Sequence, residues 1–136
     1  MYQYAIKEVV KVVDGDTVDV VIDLGFDITR KERVRLNGID APESITKDEV
    51  EKKYGMEAKE FVKKWFSENK NILIRTYKEE KYGRILGDFF TEGNKPLNIL
   101  LVEQGYAWVY DGNTKSKDFS LLEEKRKSTS INISNK

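Results

Sequence analysis

Tyr4-Ala5-Ile6-Lys7-Glu8-Val9-Val10-Lys11-Val12-Val13 runs into Asp14-Gly15-Asp16 and then into Thr17-Val18-Asp19-Val20-Val21-Ile22-Asp23. Two runs rich in β-branched side chains flank an Asp-Gly turn signal, so the stretch predicts a hairpin with strands at 4–13 and 17–23. A third strand is predicted near 32–37, where Val34 and Leu36 alternate with Arg33 and Arg35 and so face the opposite way.

Downstream the period changes. After a polar segment over roughly 44–53, Ala58, Phe61, Val62, Trp65 and Phe66 recur at helical spacing, with Lys59, Glu60, Lys63 and Lys64 opposite. Residues 71–77 read as a fourth strand and 84–90 as a fifth, after a turn at Lys81-Tyr82-Gly83. Pro96 opens a short helix bearing Leu97, Leu100 and Leu101, which Gly105 closes. Ser116 is positioned to cap a last helix with Phe119 and Leu122 on its buried face. The order β-β-β-α-β-β-α-α predicts an α+β fold: a five-stranded OB-fold barrel with about three α-helices. One domain is expected over 1–127, followed by a polar tail at 128–136.

Composition narrows the chemistry. The 136 residues contain no Cys and no His, which removes thiolate and imidazole nucleophiles, bases and metal ligands. What remains is carboxylates, Arg, Lys, Tyr, hydroxyls and oxygen-ligated metals. Twenty-four Lys+Arg balance 24 Asp+Glu, so any affinity for nucleic acid must come from a local basic site. No apolar run approaches the roughly 18–20 residues of a membrane helix, and no membrane partner is expected. The N-terminus goes straight into a strand pattern, so the chain reads as cytoplasmic or as a secreted mature form.

Three clusters carry the functional signal: Asp14-Gly15-Asp16-Thr17, Arg35 through Glu43, and Lys81-Tyr82-Gly83-Arg84. Asp16, Asp40 and the backbone carbonyl of Ala41 would make an open, all-oxygen site for Ca²⁺, completed by water and a substrate phosphate. Glu43 follows closely enough to reach a water beside that metal. Arg35 and Arg84, permanently charged, offer forked donors to phosphate oxygens. A metal, a base and two cations suit phosphodiester hydrolysis.

These residues resemble the staphylococcal nuclease (thermonuclease) family. The shared elements, in order, are Val13-Asp14-Gly15-Asp16-Thr17-Val18, Arg35-Leu36, Ile39-Asp40-Ala41-Pro42-Glu43, Tyr54-Gly55-Met56-Glu57-Ala58, Lys81-Tyr82-Gly83-Arg84 and Glu103-Gln104-Gly105-Tyr106-Ala107. The resemblance implies a Ca²⁺-dependent endonuclease of single- and double-stranded DNA and of RNA, leaving 3′-phosphate and 5′-hydroxyl ends. It implies Asp16, Asp40 and the Ala41 carbonyl as calcium ligands, with Asp14 in the surrounding shell. Glu43 matches the general base, and Arg35 and Arg84 match the phosphate clamp. Lys81, Tyr82 and Tyr110 match nucleotide-contacting positions. A monomer is expected. The alternative reading is a non-catalytic OB-fold module that binds nucleic acid, stacking bases on Tyr82, Tyr110 and Trp108; Trp108 reads equally as a core ring.

Overall fold

The computed structural model describes residues 2–79, 84–110 and 117–134. Its elements are β1 (Tyr2–Asp14), β2 (Thr17–Asp23), β3 (Thr29–Leu36), β4 (Ile39–Asp40), α1 (Glu49–Glu68), β5 (Leu73–Glu79), β6 (Ile85–Phe90), α2 (Leu97–Glu103), β7 (Trp108–Val109) and α3 (Phe119–Ser134). Five strands close a barrel in the order β1-β2-β3-β6-β5, with β5 returning to β1. The β3–β6 pair is parallel, while β1–β2, β2–β3 and β5–β6 are antiparallel. The predicted α+β barrel of five main strands and three helices is the observed one.

Alternation explains the core. Val18, Val20 and Ile22 of β2 and Val34 and Leu36 of β3 point inward and are buried, together with Ile74 and Phe89. Burying such a side chain contributes about 1.5–3 kcal/mol. Helix α1 covers this interior with Ala58, Val62 and Phe66, and the Phe66 ring meets Phe89 edge-on at 5.1 Å. Trp65 packs half-buried beside them.

Three features differ from expectation. First, α1 begins at Glu49, inside the segment read as polar connection, because Asp48 caps it by accepting from Val50 N and Glu51 N at 3.0 and 3.2 Å. Acidic Glu49 and Glu51 in the first turn suit the positive end of the helix dipole. Second, β4 and β7 form an extra two-stranded sheet, with Ile39 opposite Val109 and Asp40 opposite Trp108. Third, α3 runs through Ser134, into the stretch read as a tail. Asp118 accepts from Ser120 N at 3.0 Å at its start, whereas Ser116 lies outside the described residues. Leu122 is buried as expected, and Trp108 proves to be a packing ring: it meets Phe119 at 5.5 Å and donates from Nε1 to the Asp118 carbonyl at 2.9 Å.

Candidate active site

The β1–β2 turn, the end of β3 and the β4 loop meet at one end of the barrel. Leu36 N donates to the Asp16 carbonyl at 2.8 Å and Asn37 N to the Gly87 carbonyl at 2.9 Å, tying the end of β3 to β2 and β6. Arg35 lies opposite Thr17 in the β2–β3 register, and its side chain is only 12% exposed. Nη1 donates to the Ile39 carbonyl at 3.0 Å and the Leu36 carbonyl at 3.3 Å, while Nη2 lies 3.4 Å from Asp40 Oδ1 and 3.8 Å from Asp16 Oδ2. The Tyr110 ring sits over the guanidinium, 5.3 Å from Cζ. Asp16 is buried: Oδ1 accepts from Thr17 Oγ1 and Oδ2 from Ala41 N, each at 3.0 Å.

Asp16, Arg35, Asp40 and Ala41 are thus brought together from separate segments. Two carboxylates share one guanidinium, and the balance shows at Asp40. Burial, then the adjacent Asp16 charge, push its carboxyl up to about 6, against the pull of Arg35 and Lys117. Such a pair of hard oxygen donors, with Asp16 disfavouring the charge of Asp40, fits an oxygen-preferring divalent cation. Among the described residues no three or more Asp or Glu side chains converge to make a closed cage, so the pair fits as an open site completed by other oxygens.

The raised Asp40 value has a consequence for the metal-free protein. Between about pH 4 and 6 the folded state keeps a proton at Asp40 that the unfolded chain releases, so stability at this group falls as pH rises and the penalty is complete above that window. Asp40→Asn is therefore expected to melt above wild type at pH 7 in the presence of chelator and level with it near pH 4. Calorimetry at the two pH values checks this, and a lower melting temperature at pH 7 contradicts it.

Glu43 projects from the same loop, and its side chain is exposed. The backbone around it is pinned from two sides. Ser44, 2% exposed, donates from its amide to Asp14 Oδ1 at 3.0 Å and also from its hydroxyl to the same oxygen. Asp14 therefore holds the Glu43–Ser44 peptide from the β1–β2 turn. On the other side Glu51, 7% exposed in the first turn of α1, accepts from Glu43 N at 3.0 Å and from Lys117 Nζ at 2.5 Å. Sequence reasoning missed Glu51 and Lys117: Glu51 falls in the stretch read as a polar segment and Lys117 was given no role, and the available signal was Asp48 as a helix start.

Two small residues allow this close assembly. A Cβ at Gly15 would lie 2.7 Å from Ala58 Cβ and 3.1 Å from Ala41 Cβ, so the turn, the loop and α1 pack at van der Waals contact only without it. A Cβ at Gly55 would lie 2.2 Å from the Glu43 carbonyl oxygen and 2.4 Å from its carbon. Gly55→Ala gains about 1 kcal/mol of helix propensity, but overpacking costs about 1–3 kcal/mol and more where backbone must move. The expected net result is a lower unfolding temperature; one equal to or above wild type contradicts the close approach.

Arg84 stands just before β6, half-buried. Leu86 is the register partner of Arg35 in the parallel β3–β6 pair, so Arg84, two residues earlier, falls on the same face as Arg35. Tyr110 hydrogen-bonds through its amide to the Gly38 carbonyl at 2.8 Å, which keeps its ring over Arg35. A cavity of about 270 Å³ beside Asp40 is lined by Trp108, Tyr110, Lys117 and Lys125, among others. Lys81 and Tyr82 lie outside the described residues.

The family profile described as staphylococcal nuclease homologue matches residues 33–135, most of the chain. The chain belongs to that family. The matched span contains Arg35, Asp40, Ala41, Glu43, Arg84 and Tyr110, whereas Asp14 and Asp16 precede it and reach the site through the β1–β2 turn. An uncharacterized endonuclease of Escherichia coli is 33% identical over 103 residues, covering 76% of this chain and 60% of that protein. Endonuclease YhcR of Bacillus subtilis is 34% identical over 107 residues, covering 74% of this chain and 8% of that protein. An uncharacterized protein of Methanocaldococcus jannaschii, MJ1439, is 32% identical over 98% of this chain and 73% of its own length. The chain therefore spans 60% of the Escherichia coli family member and a small part of the Bacillus one.

Proposed function

We propose that the protein is a Ca²⁺-dependent endonuclease that hydrolyses phosphodiester bonds of single- and double-stranded DNA and of RNA, leaving 3′-phosphate and 5′-hydroxyl ends. The observation that carries this reading is the convergence of Asp16, Asp40 and Arg35, with Arg35 Nη2 at 3.4 and 3.8 Å from the two carboxylates. Family membership and the endonuclease names of the relatives support it.

In this reading the Asp16 and Asp40 carboxylates and the Ala41 carbonyl would hold calcium, and the ion would supply positive charge to offset the charge that the phosphate gains. Glu43, on its anchored backbone, orients a water in line with the phosphorus and takes its proton. Arg35 turns its forked donors toward the phosphate that gathers charge, and Arg84, on the same face, stabilises that charge as the 5′-oxygen departs. Tyr110 covers the Arg35 guanidinium and, with Lys81 and Tyr82, contacts the nucleotide.

The test is strand scission of single-stranded DNA with calcium, with chelator, and with magnesium, followed by end-group mapping. Hydrolysis is expected with calcium, with loss on chelation and lower rates with magnesium, which demands stricter octahedral geometry and dehydrates reluctantly. Binding of DNA with no scission under any of these conditions would instead mark a nucleic-acid-binding module.

A further inference from the structure

We propose that the Glu51–Lys117 pair is a latch that holds the general base in register, making both residues positioning residues for Glu43. The inference rests on the hydrolytic reading of the site and assigns part of its accuracy to groups outside it. Three observations carry it. Glu51 is buried, yet it spends one carboxylate oxygen, Oε2, on two donors: the Glu43 amide at 3.0 Å and Lys117 Nζ at 2.5 Å. These donors come from the β4 loop and from the residue two before α3, so one oxygen joins three parts of the chain: that loop, α1 and the approach to α3. Lys117 also faces the site itself: beyond its bond to Glu51, it lines the cavity beside Asp40.

The arrangement explains why a carboxylate is buried at the first turn of a helix. An uncharged acceptor would bond the Glu43 amide more weakly and would leave Lys117 without the anchoring charge that keeps Oε2 in place. An unpaired Glu51 would carry the desolvation cost of a buried anion. Each member therefore requires the other, and the amide of Glu43 is fixed only while both are present. The exposed Glu43 side chain then starts from a backbone held by Glu51 on its amide side and by Asp14, through Ser44, on its carbonyl side. A displacement on the order of 1 Å in such a group can lower a rate by about 10²-fold, so loss of the latch is expected to matter without touching substrate.

The experiment combines Glu51→Gln, Lys117→Met and the charge-balanced double variant with Glu43→Gln, reading kcat and KM on a single-stranded oligonucleotide. The expected result is a roughly 10- to 100-fold fall in kcat with KM little changed, partial recovery in Lys117→Arg, and no further loss when Glu51→Gln is added to Glu43→Gln. An equal fold-loss in the Glu43→Gln background would overturn the latch, because a general weakening of the fold multiplies with any other defect. Hydrogen exchange of the Glu43 amide provides a readout independent of catalysis. It should quicken in Glu51→Gln and in Lys117→Met relative to neighbouring amides; unchanged protection overturns the proposal. A wild type that exchanges slowly at Glu43 but cleaves nothing keeps the latch and refutes the nuclease reading.

Discussion

Glu43→Gln is expected to lower the turnover of single-stranded DNA by about 10²–10⁴-fold, the usual contribution of a positioned general base, while leaving KM nearly unchanged. The substitution preserves shape and one acceptor oxygen but removes the capacity to take a proton. Its stability cost should be small, because the Glu43 side chain is exposed and its anchorage is made by its own amide and by Ser44. Unfolding temperature therefore separates a chemical defect from a structural one. Parallel assays on the two proteins with calcium varied check the point: comparable rates remove Glu43 from proton transfer and leave the site to Arg35, Arg84 and the metal alone. A rise in KM with kcat unchanged would place Glu43 in substrate binding instead.

The barrel was legible because its strands carry unmistakable alternation: Val18, Val20 and Ile22 against Val34 and Leu36 is a period-two pattern that leaves Arg33 and Arg35 outside. Arg35 and the two aspartates were legible for a related reason: Arg35 belongs to the outward set near the end of β3, and Asp16 and Asp40 sit at or beside strand ends. The strand pair β4–β7 was not. Two residues have no period, yet the pairing of Asp40 with Trp108 is what sets one metal-binding candidate beside the aromatic wall of the cavity. Glu51 was hidden for the opposite reason. The run Lys47-Asp48-Glu49-Val50-Glu51-Lys52-Lys53 has the composition of a solvated surface, and one buried carboxylate within it cannot be told from its exposed neighbours without knowing what the helix packs against. Gly55 belongs with these: its presence inside a helix costs stability locally, and only the approach of the Glu43 peptide accounts for it. The functional residues were thus readable where local pattern and site coincide, and unreadable where distant segments supply support.

Arg35→Lys, which conserves charge, is expected to reduce kcat by about 10²–10³-fold, the scale of losing one preorganised donor to developing charge. The geometry explains why charge alone is insufficient. The guanidinium uses Nη1 on the carbonyls of Leu36 and Ile39 and Nη2 on Asp40, and its Cζ lies 5.3 Å from the centre of the Tyr110 ring. Those contacts demand a planar fork with donors in several fixed directions. An ammonium is a compact point charge on a flexible stem, so it can meet one of the carbonyls or the carboxylate but not hold all of them and still present a second donor to phosphate. The loop between β3 and β4 would lose part of its bracing as well, because the two carbonyls belong to that turn. Arg35→Lys should therefore show a lowered unfolding temperature where Glu43→Gln shows none, and the kinetic defect should remain at temperatures well below that transition. Turnover within a few-fold of wild type would mean that position 35 acts only through its net charge, and the clamp would then have to be assigned to Arg84.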